Sequence, residues 1–206
     1  MPQRKLKSLD AEEDVVIFAY IDATDENNLQ AVASIDDNDK YDAVEKEEGL
    51  PEHIVRVKST WRKPTFGLAQ LIDMNQFIDK VNPQTMRIER VFDYNALTIA
   101  RIRILLKGWN INEIIEDDKK ASKYKLTFEK AMENSHYLVL SADAMTRVLN
   151  VYPADLLTNL YNKMLIKLFP DDVYVRSLKL QRELAKLEKK KEEEDTKNVV
   201  GEPAKV

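Results

Sequence analysis

Two histidines, one acidic run and a scatter of arginines are the side chains in this sequence that could do chemistry. His53 and His136 stand 83 residues apart in a chain of 206. A zinc site built on them would need carboxylates to complete four ligands, and no spacing supplies them. Both read as surface or strand-end residues. Ser135 precedes His136, but no strand–turn–helix elbow surrounds that pair, so a nucleophilic serine is not expected. The acidic run "SIDDNDKYD" (34–42) resembles the start of a calcium loop. Counting from Asp37, however, Asp42 falls where such a loop needs Gly, and the run reads as a solvated acidic segment. The chain has no Cys, which removes disulfides, thiol catalysis and Cys-bound metals. Its 4 Gly are too dispersed to assemble a phosphate-binding loop. No catalytic residue, cofactor or metal is expected.

The arginines offer a different chemistry. Arg87, Arg90, Arg101, Arg103 and Lys107, with Arg62 and Lys63 nearby, could form one basic face of the kind that nucleic acid needs. The sequence pI of about 5.4 disfavours that reading. Pairing with acids such as Glu89 and Asp93 is the plainer expectation.

Charge is unevenly spread. Residues 1–53 carry fifteen acidic side chains against five basic ones, and the remainder carries an excess of six positive charges, for a net charge of −4. An acidic arm on a mildly basic body results. No apolar run approaches the roughly 18 residues of a membrane span. The amino-terminal residues carry no apolar core of a secretory signal.

The elements that would position these residues follow from periodicity. "DVVIFAYID" (14–22) is short, β-branched and aromatic, and reads as a strand. A long polar loop follows, with a short strand expected at 29–35 and a short helix near "KYDAVEKEE". "HIVRVKSTW" (53–61) alternates as a half-buried strand. In "STWRKPTFG" (59–67), Trp61 pins the strand end, Pro64 turns the chain and Thr65 caps a helix. Phe66 is expected to anchor that helix, and Gly67 to permit close approach. Arg62 and Lys63 sit on the rim, free to meet a partner. Leu68, Leu71, Ile72 and Phe77 carry the helix through "LAQLIDMNQFIDKV" (68–81), and 81–111 holds the strongest helical pattern, capped by Asp93 and closed by Gly108. "KLTFE" and "HYLVLS" read either as paired strands or as helix. Ser141 caps a helix, Pro153 opens the next, and Pro170 ends it. Residues 171–197 form a charged helix in which Leu180, Leu184 and Leu187 follow a 4–3 spacing. The expected fold is α+β and mainly α, with a few N-terminal strands packed on a helical body. The expected divisions are an acidic arm (1–53), an α-rich body (54–170) and a charged C-terminal helix with its tail (171–206).

"VRVKSTWRKPTFG" followed by "FDYNALTIARIRILLKGWNI" resembles small proteins of tailed bacteriophages, among them tail assembly chaperones and head–tail proteins. The resemblance covers about residues 54–168. It implies a non-catalytic virion or assembly protein, in the particle or the host cytoplasm, whose partners are other phage structural proteins and further copies of itself. Two alternatives accompany it. One is a tail assembly chaperone absent from the finished particle; the other is a nucleic-acid-associated protein using the arginine face. Trp61, Arg62, Lys63, Phe66, Arg101, Arg103, Leu180, Leu184 and Leu187 are the candidate interaction residues.

Overall fold

A computed structural model describes residues 14–25, 29–31, 41, 49–115, 118–133 and 135–199. The arm at 1–12, the acidic loop at 34–42 apart from Tyr41, most of the helix expected near it, and the last seven residues lie outside these. The chain divides into two compact units, residues 1–164 and 165–206. The class is α+β.

Unit 1 is built on a four-stranded antiparallel sheet of order β2-β1-β3-β6. β1 (Val15–Asp22) pairs along its whole length with β3 (Ile54–Trp61). β2 (Gln30–Ala31) adds one edge and β6 (Leu106–Trp109) the other. Opposed residues share a face, so Val15, Ile17, Ala19 and Ile21 lie with Trp61, Ser59, Val57 and Val55. Ile17, Ala19, Val57, Ser59 and Trp61 are all buried, which makes this the core face. The period-two pattern read from the sequence thus sets the register.

After the corner at Pro64 comes α1 (Phe66–Met74), which buries Leu68, Leu71 and Ile72. Thr65 caps it, its hydroxyl accepting from Leu68 N. The helical pattern then fails. Residues expected to continue the helix form a hairpin instead: β4 (Phe77–Val81) pairs with β5 (Ile88–Phe92). Asn82 folds the turn. Its side chain accepts from Gln84 N at 2.9 Å and Thr85 N at 3.3 Å, while Met86 adopts a left-handed φ of 54°.

α2 (Tyr94–Leu105) starts at Asp93, whose carboxylate accepts from Ala96 N at 3.0 Å. Leu97, Ala100, Ile102, Ile104 and Leu105 are buried, as befits a central helix. Gly108 does not close it. The C-cap is Leu106, in extended conformation, and Gly108 lies inside β6 opposite Thr60. Leu106 is itself buried against the sheet and pairs with Trp61, so the ladder takes up the backbone groups a left-handed glycine would otherwise serve.

Two short helices, α3 (Ile111–Ile114) and α4 (Asp118–Ser122), lead to the second hairpin. Of its two sequence readings the strands prevail: β7 (Phe128–Lys130) pairs with β8 (Leu138–Leu140). Ser141 caps α5 (Ala142–Leu149), accepting from Ala144 N at 3.2 Å. In α6 (Ala154–Leu168), which carries the boundary between the units, Leu156, Leu160, Tyr161 and Met164 are buried. Unit 2 is dominated by α7 (Val173–Val199), where Val175 is buried while Leu180, Leu184 and Leu187 are each about three-fifths exposed.

Candidate interaction surface

The Trp61–Gly67 corner separates into a buried half and an exposed half. Trp61 is fully buried and donates from Nε1 to Ser59 Oγ at 2.7 Å. Ser59, equally buried, donates in turn to Ile17 O at 3.3 Å. Two polar groups are thereby satisfied inside an apolar sheet face. Arg62 departs from its expected place on the rim. It is buried, its backbone N–H donates to Leu105 O, and its guanidinium donates to Ile104 O and Leu138 O. It therefore binds the last carbonyls of α2, the negative end of a helix dipole, and fastens β3 to β8. Lys63 stays exposed.

Phe66 departs in the opposite sense, standing 80% exposed. It lies two residues from Leu68, about 200° around a helix, so the face that buries Leu68 turns Phe66 outward. The cap bond of Thr65 holds the helix start without it. Gly67 meets its expectation: a Cβ there would collide with the hydroxyl and ring of Tyr137.

The expected basic face does not assemble. Arg101 and Arg103 also lie two residues apart on one helix and point to opposite sides. Arg101 is buried. Arg103 donates to Leu140 O at 3.1 Å and pairs with Glu129 at 2.6 Å. Lys107 pairs with Asp14 at 2.6 Å. Arg90 belongs to the first hairpin, where it donates to Met74 O at 3.1 Å and covers the Phe77 ring.

That hairpin is the surface sequence reasoning missed. Across its ladder Phe77 faces Phe92, Asp79 faces Arg90, and Val81 faces Ile88, so these six share one face. Phe77 and Phe92 meet edge-on with centroids 6.2 Å apart. Val81 is 58% exposed, Ile88 73% and Phe92 50%. At the foot of this face Gln70, Asp73 and Met74 of α1 bound a shallow depression with Phe77 and Arg90. Val91, on the other face, is also exposed. The hairpin is held at its base, where Asp93 N donates to Gln76 O and Lys80 reaches Asp93 at 3.6 Å. The turn residues of "NPQT" between "FIDKV" and "IERVF" are the signal that could have found it.

A second depression, a cleft of about 240 Å³, lies between α1 and α2 and is floored by Leu71, Ala100, Ile104 and Val139. Its one cation, Arg103, is already engaged by Glu129. His53 and His136 are both exposed. Among the described residues no group of three or more His, Asp or Glu is placed to hold a metal ion, and no helix is long and apolar enough to cross a membrane.

Comparison of the chain with protein-family models, with curated proteins and with solved structures finds no match in any of the three.

Proposed function

We propose that this chain is a non-catalytic docking protein that assembles with other proteins, in the manner of the tailed-phage virion and tail proteins its sequence resembles. One observation carries the reading: a two-stranded hairpin presents Phe77, Val81, Ile88 and Phe92 to solvent on one face. Apolar area gathered in one place marks a surface made to be covered. A bare hairpin is marginal in water and gains stability when a further layer packs on it. In this reading the fold is a mainly α body with N-terminal strands packed on it, and the charged C-terminal helix is an extension that reaches neighbours. The residues offered to partners are those of the hairpin together with Phe66 and the exposed Leu180, Leu184 and Leu187.

Mass spectrometry of purified phage particles tests the proposal. A virion component is found at fixed stoichiometry, whereas an assembly chaperone is found with tail proteins before assembly and not in the particle. Absence from both, or a reproducible turnover abolished by one side-chain change, overturns the proposal. Nucleic-acid association is the weaker reading, because Arg62, Arg101, Arg103 and Lys107 are buried or paired within unit 1.

A further inference from the structure

We infer that the partner of the β4–β5 face is the same face on a second copy of this chain. The inference rests on the docking role proposed above and names its occupant. The pairing of residues on this face is self-complementary under one particular symmetry. A two-fold axis parallel to the strands, midway between two stacked hairpins, lays β4 of one copy over β5 of the other. Each residue then meets, in the other copy, the equivalent of its own cross-strand mate: Phe77 over Phe92, Val81 over Ile88, Asp79 over Arg90. Aromatic meets aromatic, aliphatic meets aliphatic, and two acid–base contacts form at the centre. The other two-fold in the plane of contact runs across the strands. It would set Asp79 on Asp79 and Arg90 on Arg90, so like charges exclude that arrangement. Arg90 spends one donor on Met74 O and has five N–H groups in all, which leaves donors for a carboxylate across the interface. Stacking at the usual sheet spacing of about 10 Å also supplies the layer that this hairpin lacks. Six side chains on each side place the contact at the small end of specific interfaces, so the dimer is a weak one that forms within the micromolar range.

Charge exchange on the full-length chain tests this. Asp79→Arg makes the face wholly basic and Arg90→Asp makes it wholly acidic. Sedimentation of the wild type up to several hundred micromolar is expected to show a monomer–dimer equilibrium. Each single variant is expected to dimerise about tenfold or more weakly. An equimolar mixture of the two variants, and the doubly exchanged Asp79→Arg/Arg90→Asp chain, are expected to associate again, since each restores acid opposite base. Circular dichroism establishes that every variant is folded, and Asp79→Arg leaves the contacts of Arg90 with Met74 and Phe77 in place. A wild type that stays monomeric overturns the inference. So do single variants that dimerise as the wild type does, or a mixture that fails to associate. A dimer that never joins phage proteins overturns the assembly role and leaves the self-docking intact. Monomeric variants that still enter particles do the reverse.

Discussion

Trp61 and Ser59 face the same side of β3 and are joined by a 2.7 Å hydrogen bond from the indole to the hydroxyl, both side chains fully buried. The largest side chain of the core is thereby fixed in orientation by its neighbour two residues back. Replacing Trp61 with Ala is expected to cost about 3–5 kcal/mol, the cost of an unfilled aromatic site. Trp61→Phe keeps most of the volume and breaks the bond, at about 1–3 kcal/mol. Chemical denaturation followed by circular dichroism measures both. Equal stability of Trp61→Ala and the wild type would contradict the buried placement.

Arg62 supplies the next test. Its guanidinium serves carbonyls on two elements, the end of α2 and β8. Arg62→Ala leaves those acceptors unserved and is expected to destabilise by about 1–3 kcal/mol. Arg62→Lys is expected to recover only part of the loss, because an ammonium cannot fork between two carbonyls as a guanidinium does. If Arg62 instead served a partner, both variants would melt like the wild type.

Gly67→Ala places a methyl group against the ring of Tyr137. The expected loss is about 1–3 kcal/mol, the range for overpacking. Tyr137→Leu removes the obstruction, so the double variant should be more stable than the sum of the two single effects predicts. Strict additivity in a double-mutant cycle would refute the clash.

Asp93 gives a prediction in pH. The backbone hydrogen bond from Ala96 holds its carboxyl below the ordinary aspartate value, Lys80 adds to this, and partial burial opposes it. The folded state therefore releases this proton more readily than the unfolded chain. The stability gained is complete above the unfolded value and is lost as pH falls through the folded one, which lies below it. Asp93→Asn retains an acceptor at the cap without the titration. The melting temperatures of wild type and variant are expected to keep a constant difference from neutrality to about pH 5 and to converge below pH 4. A difference that stays constant into acid would count against the depressed carboxyl. Asp22, held down by the side chain and backbone N–H of Thr24, titrates in the same direction and is present in both proteins.

The readable parts of the fold were those in which one face meets a core. β1 and β3 alternate because they bury alternate residues, and Asp93, Thr65 and Ser141 announce their helices by capping them. The β4–β5 hairpin was illegible for the same reason reversed. Asp79 and Arg90 interrupt its apolar face while Ile78 and Val91 lie on the other, so the alternation in "FIDKV" and "IERVF" is blurred. Phe77, at a rough helical spacing after Ile72, then suggested that α1 continues. Arg62 defies the expectation from its charge because backbone acceptors wait inside for its guanidinium. Arg101 and Arg103 are neighbours in sequence, but the pitch of a helix separates them.

The passage from α2 into β6 contains no loop: Leu105 is the last helical residue and Leu106 the first of the strand. A helix end fused in this way to a sheet edge cannot fray without lifting the strand it continues into. Amide hydrogens of α2's last turn and of β3 should therefore exchange with solvent in one slow cooperative event, close to global unfolding. The β4–β5 hairpin, anchored near Gln76, Asp93 and Met74, is free of that constraint. Its ladder amides should open and relabel much sooner, which makes unit 1 two kinetic bodies.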